Sequence, residues 1–181
     1  MKDGTKAIKQ TKVINSDGTF WVKEEQIIQR YNERGFLYRN RSLYLKDFQD
    51  KHLPKQLSWT DKGKLERLYY EMGENQILVY DSHNEKKYHT TSTIAKIFEQ
   101  TEKQTRKLIN NAVEANVMRV LKVNGKKCYM LSPIYKLYGK RISLITFIAF
   151  KDQLMQELPQ WAIDTFLQDI TTMRDTVELY N

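Results

Sequence analysis

The sequence predicts an α+β fold in which two short helices run directly into a β-hairpin, and three observations predict it. The first is the pair Thr101 and Gln104, a Thr-x-x-Gln capping signal heading an amphipathic stretch of helical period. The second is Asn124-Gly125 between two apolar-rich runs, the strongest short hairpin signal a sequence carries. The third is charge. Residues 115–151 hold eight basic side chains, Arg119, Lys122, Lys126, Lys127, Lys136, Lys140, Arg141 and Lys151, and no acidic one.

Taken in order, Thr11–Ile14 and Thr19–Val22 flank Asn15-Ser16-Asp17-Gly18, which predicts a hairpin with an Asp-Gly turn. Lys23–Tyr31 reads as a short helix, and Gly35–Tyr38 as an extended piece ahead of Leu43–Gln49. Leu65, Leu68, Tyr69 and Met72 recur at helical spacing after a Thr60/Asp61 cap, so a helix stopping near Gly73 is expected. Ile77–Tyr80 and Lys86–His89 suit a small strand pair. Thr91 or Ser92 caps the next helix, with Ile94, Ala95, Ile97 and Phe98 inward.

After a short break comes the helix Glu102–Ala115. Thr105, Leu108, Ile109, Ala112 and Val113 share one face of it. Lys103, Arg106, Lys107, Asn110, Asn111 and Glu114 share the other. Asn116 suits a left-handed residue just past its end, and Val117–Val123 and Lys127–Leu131 form the hairpin. Pro133 is expected in the first turn of a short helix ending at Gly139. Leu144–Leu158 and Pro159–Val177 read as two further helices, though the β-branched Ile142–Phe150 also suits a buried strand.

Helix, break, helix, hairpin is the order of a winged helix-turn-helix. Three regions follow: an N-terminal hairpin extension (1–55), the winged helix-turn-helix (56–141) and C-terminal helices (142–181). The last helix carries an apolar stripe, Ile163, Phe166, Leu167, Ile170, Met173 and Val177. That stripe can pack on its own domain or pair two copies, and a homodimer through these helices is the expectation.

Composition narrows the function. The chain has 181 residues, 40% of them hydrophobic, and a formal charge of +8. The longest apolar stretch, Ile142–Phe150, is too short for a bilayer, and Met1-Lys2-Asp3-Gly4 opens no apolar leader, so a cytoplasmic protein is expected. Cys128 stands alone, and His52, His83 and His89 have no zinc-ligand spacing, so neither metal nor cofactor is expected. No phosphate-binding glycine loop or Ser-His-Asp set is present, and no enzymatic activity is expected. The aromatics, Trp21, Trp59 and Trp161 among them, are expected in the core.

A basic, acid-free hairpin beside a helix bearing Arg, Asn and Gln points to double-stranded DNA as partner. Lys103, Gln104, Thr105, Arg106 and Asn110 are the candidate base readers, since Arg matches guanine and Asn or Gln matches adenine bidentately. Lys107, Arg119, Lys122, Lys126, Lys127, Lys140 and Arg141 are the candidate phosphate contacts. A solvated helical face and a polar hairpin tip use the same residue types, so it is their succession that carries the reading.

Thr91, Ile94-Ala95, Ile97-Phe98, Thr101–Thr105, Arg106, Leu108-Ile109 and Val113, then Tyr129–Pro133 and Gly139-Lys140-Arg141-Ile142, resemble a group of winged-helix proteins from phages and plasmids of Gram-positive bacteria. Some of that group are described as MarR-like regulators and others as plasmid replication initiators. The resemblance covers roughly residues 55–155. It departs at Ser132, where Asn is usual, at Glu99-Gln100, where Gly often sits, and at Asn116, where Gly often ends the helix. The resemblance implies a transcriptional regulator, or alternatively an initiator binding origin repeats. A reading of another class is a winged-helix subunit that contacts only proteins.

Overall fold

The structure is a computed structural model that describes residues 8–14, 20–26, 31–32, 34–37, 45–47, 51–83, 85–123 and 125–172. It is a mixed α+β fold of short helices and small antiparallel sheets.

Strands β1 (Ile8–Ile14) and β2 (Phe20–Gln26) pair antiparallel with Ile14 opposite Phe20, as the hairpin pattern predicts. The expected turn, residues 15–19, lies outside the described residues. The helix expected over residues 23–31 does not start at 23–26, and residues 27–30 lie outside the described residues. Residues 23–26 continue β2, whose backbone register places them opposite residues 8–11 of β1, so strand pairing overrides their helical propensity. Strands β3 (Tyr31–Asn32), β4 (Gly35–Leu37) and β5 (Leu45–Asp47) follow.

Helix α1 (Trp59–Tyr69) starts slightly earlier than expected. Ser58 is its cap, its Oγ accepting from the Asp61 backbone N–H at 3.0 Å. A turn at Glu74–Gln76, with Asn75 (φ 57°) and Gln76 (φ 63°) left-handed, leads to strands β6 (Val79–Ser82) and β7 (Glu85–Tyr88). Helices α2 (Thr91–Ile97) and α3 (Glu102–Glu114) then precede the antiparallel strands β8 (Met118–Val123) and β9 (Lys126–Leu131).

The helix expected over residues 133–139 is replaced by a turn and strand β10 (Lys136–Tyr138), which pairs with β5. Strand β11 (Arg141–Ile142) pairs with β4. Both pairings cross the boundary drawn near residue 55, so the N-terminal segment is stitched to the chain that follows the β8–β9 hairpin. Gly35 is required at that seam. It lies at φ +94°, and a Cβ there would sit 2.0 Å from the Ile142 carbonyl oxygen.

The C-terminal layer is α4 (Leu144–Ala149), α5 (Lys151–Glu157) and α6 (Gln160–Thr172). One expected helix is therefore two, broken at Phe150 (φ −121°, ψ 31°). Ile163 and Phe166 of the apolar stripe are buried in the chain's own core beside Ala162, with Phe166 stacked on Phe147 at 4.3 Å, and Leu167 and Ile170 pack against it partly buried. Met173 and Val177 lie outside the described residues.

Two cores lie on opposite faces of the β8–β9 hairpin. Tyr129 and Leu131 join Leu65, Leu68, Ile94, Leu108 and Ala112 on one side. Cys128 and Met130 join Phe147, Phe150, Leu154 and Phe166 on the other. Burial on both faces explains why residues 128–131 form an unbroken apolar run instead of alternating. Two tryptophans expected inside are not: Trp59 is 88% exposed and Trp161 is 45% exposed, its ring edge against Phe36. The surroundings of Trp21 lie outside the described residues. Among the described residues no helix is long and apolar enough to cross a membrane.

Candidate nucleic-acid interface

Helix α2 is capped by Thr90, one residue before the expected Thr91. Thr90 Oγ1 accepts from Thr93 N–H at 3.2 Å, and Thr93 Oγ1 accepts from Thr90 N–H at 2.7 Å. The chain then turns through Glu99, left-handed at φ 49°, with Gln100 N–H donating to Ala95 at 3.1 Å. The capping pair expected at α3 is present. Thr101 Oγ1 accepts from Gln104 N–H at 3.3 Å, and Gln104 Oε1 accepts from Thr101 N–H at 3.0 Å.

A side-chain chain ties the head of α3 to α1. Lys64 Nζ donates to Gln100 Oε1 at 2.5 Å, Gln100 Nε2 donates to Thr105 Oγ1 at 2.8 Å, and Thr105 Oγ1 donates to the Thr101 carbonyl at 3.1 Å. Farther along, Asn111 Nδ2 donates to Asp61 Oδ2 at 3.0 Å. Gln100, Lys64 and Asp61 were invisible as a set in the sequence, because their partners stand 36 to 50 residues apart.

Of the candidate base readers, Lys103, Gln104, Arg106 and Asn110 are exposed together on α3. Thr105 is fully buried and holds the helix start from inside, so it is removed from the outer face. Gln104 has its carbonyl oxygen in the cap, which leaves the amide nitrogen as its donor. Arg106 lies 3.0 Å from Glu102 in an exposed i,i+4 pair, a contact worth only about 0.3–0.5 kcal/mol that a stronger anion displaces. Lys107 is exposed on the same helix.

The phosphate candidates divide. Lys126 and Lys127 are exposed at the hairpin tip beside Gly125 (φ +74°), with Lys127 Nζ 5.5 Å from the Tyr129 ring. Asn124 itself lies outside the described residues. Lys140 is exposed, and Lys122 is half-buried.

Arg119 and Arg141 are held by the fold. Arg119 donates to Ala149 O at 3.1 Å and Asn116 Oδ1 at 2.8 Å, and Arg141 donates to Gly35 O at 2.8 Å. Lys136, counted in the basic segment, is buried with its Nζ 2.5 Å from Glu66. Arg119, Arg141 and Lys136 are thus engaged within the fold, and the outward basic surface is smaller than the charge count suggests.

The hairpin has a third, minimal strand. Ile77 bridges Met130, and Leu78 N–H donates to Tyr129 O at 2.8 Å. Tyr129 hydroxyl meets Thr91 Oγ1 at 2.7 Å, fixing α2 against the hairpin base.

His52 and His83 are exposed, whereas His89 is buried. Its Nδ1 lies 3.0 Å from Thr93 Oγ1, and its Nε2 faces Glu71 Oε2 at 3.7 Å, beyond hydrogen-bond reach. Burial lowers its pKa, Glu71 opposes that shift, and Arg67 adds a little to it. Burial pushes the Cys128 thiol up, so it packs as an apolar group. Among the described residues no three His, Cys, Asp or Glu side chains converge as a metal site.

No protein-family model, curated protein or solved structure matches this chain.

Proposed function

We propose that the chain is a sequence-specific double-stranded DNA-binding protein built on a winged helix-turn-helix. In this reading α2 and α3 are the helix-turn-helix, α3 enters the major groove, and the β8–β9 hairpin is the wing. One observation carries it. Helix α3 is tied down at its head while Lys103, Gln104, Arg106, Lys107 and Asn110 stay exposed together, and the element that follows ends in exposed Lys126 and Lys127.

Lys103, Gln104, Arg106 and Asn110 read base edges, and Lys107, Lys122, Lys126, Lys127 and Lys140 neutralise phosphates. Arg119, Arg141 and Thr105 leave the contact set, because the fold uses them. Two copies pairing through the C-terminal layer would need surface other than Ile163 and Phe166. The biological role we favour is transcriptional regulation in a phage or plasmid setting, by resemblance.

The test is binding to duplexes selected from a random library. Arg106→Ala is expected to cost about 1–3 kcal/mol on the selected duplex and little on a scrambled one. Lys126→Ala with Lys127→Ala is expected to weaken both alike. Equal binding by the parent and both variants overturns the reading. Selected sites recurring as repeats in an origin would favour initiation over regulation. Absence of any salt-sensitive duplex binding would favour a protein-interaction subunit.

A further inference from the structure

The far end of α3 meets the C-terminal layer in a polar clasp. Past α3, Asn116 takes the left-handed conformation at φ 56°, turning the chain into β8. Gln153, on α5, reaches this corner. Its Nε2 donates to the Asn116 carbonyl at 2.8 Å, and its Oε1 accepts from Ser132 Oγ, just after β9, also at 2.8 Å. Arg119 closes the other side. Its Nη2 donates to Asn116 Oδ1 at 2.8 Å, its Nε donates to Ala149 O at 3.1 Å, and its guanidinium lies 5.7 Å from the centre of the Phe150 ring. Ala149 ends α4, so its carbonyl lacks an in-helix partner and Arg119 supplies one.

Asn116 is thus held from both its backbone and its side chain by groups tied to α4 and α5. The head of α3, and Asn111 farther along it, are fixed to α1. The tilt of α3 is therefore set by two separate layers, the α1 core along its length and, just past its C-terminal end, the clasp from α4 and α5.

We infer that Gln153 and Arg119 are positioning residues for α3, through which the C-terminal layer sets the pose of its outer face. The inference rests on the proposed role of α3 in reading DNA. Neither residue touches nucleic acid. Loosening the clasp lets α3 tilt, which degrades base contacts that need a fixed geometry. It leaves the phosphate contacts of the hairpin tip in place.

The experiment compares the parent with Gln153→Ala and Gln153→Glu, measuring affinity for the library-selected duplex and for a scrambled one. In Gln153→Ala the ratio of the two affinities is expected to fall about two- to thirty-fold, the range for substitutions that carry coupling without touching ligand. Affinity for the scrambled duplex and its salt dependence are expected to hold. Gln153→Glu keeps an acceptor for Ser132 but turns an oxygen toward the Asn116 carbonyl. Its ratio is expected to fall at pH 7.5 and to recover, relative to the parent at the same pH, as the pH falls toward the ordinary carboxyl pKa of about 4.3 and the new carboxyl gains a proton to donate.

Should Gln153→Ala not fold, the pH-dependent recovery of Gln153→Glu decides alone. An unchanged ratio in every folded variant overturns the inference. A parent with no preference for any duplex overturns the DNA reading instead. Hydrogen exchange without DNA then still tests the clasp, which requires faster exchange over residues 111–117 in the variants and unchanged exchange in α1.

Discussion

The base and the tip of the β8–β9 hairpin share one sheet and one run of sequence, yet they behave as different materials. At the base, Met118, Tyr129, Met130 and Leu131 are at most 2% exposed, wedged between two cores. At the tip, Lys126 and Lys127 face solvent. The same divide sorts the basic residues: Arg119 and Lys136 lie in the packed region and are paired, whereas the tip lysines stand outward. Charge summed along a sequence therefore overstates a binding surface wherever the segment passes through a core. Only the part beyond the core's edge is available to a polyanion.

The largest expected effect tests the base. Met130→Ala removes a fully buried side chain that packs on the α4–α6 side, at a residue whose backbone bridges Ile77. It is expected to cost about 2–5 kcal/mol in urea unfolding. A loss under about 1 kcal/mol would mean that the cavity collapses and that the base is not a rigid wedge.

The head of α3 comes next. Thr101→Ala removes one half of the capping pair and is expected to cost about 1 kcal/mol, read by the same titration. Thr101→Ser keeps the oxygen and is expected to recover most of that loss. Equal losses in the two variants would show that the cap oxygen is not what holds the helix start.

This pair of sites also marks how far sequence reasoning reaches. The α3 cap, the inward face of α3, the left-handed Asn116 and the presence of the β8–β9 hairpin were readable, because each is encoded within a few neighbouring residues. Strands β10 and β11 were not, since their partners β5 and β4 lie about ninety to a hundred residues earlier and the local Pro133–Gly139 pattern suits a helix start as well. Lys136 reads as a surface charge until Glu66 is placed beside it. Thr105 reads as a partly inward residue still able to touch a base edge until Gln100 is seen to hold it. Trp59 and Trp161 fail in the opposite sense, large apolar side chains that the fold leaves 88% and 45% exposed. The candidate contacts on α3 and at the tip were all named from sequence, and what sequence could not supply was which of the remainder the fold had already engaged.

A smaller effect, absent at neutral pH, tests the edge where the third strand joins the base. His89 N–H donates to Leu78 O at 3.0 Å, and its ring is buried against Tyr80, Thr93 and Glu71, with Arg67 beyond Glu71. Burial holds its pKa below the ordinary 6.5. The unfolded chain then takes up a proton more readily than the folded one. The stability from neutral His89 is complete above pH 6.5 and is lost as the pH falls below that value. Acid-side melting temperatures of the parent are expected to drop more steeply than those of His89→Gln. Parallel curves would show that Glu71 offsets burial fully.

The smallest expected effect on the fold is at the tip. Lys126→Ala with Lys127→Ala removes two exposed side chains beyond the core's edge, and unfolding is expected to move by no more than about 0.5 kcal/mol. Duplex affinity, by contrast, is expected to fall for every sequence, with the slope of log affinity against log salt shallower by about 2, one unit for each lost phosphate contact. The two readouts must separate for the divide to hold. Were the double variant to lose stability as the base variant does, the tip would belong to the core. Were it to lose neither stability nor affinity, its lysines would be ordinary solvated charge. Only lost affinity at constant stability makes the tip a surface kept for a polyanionic partner.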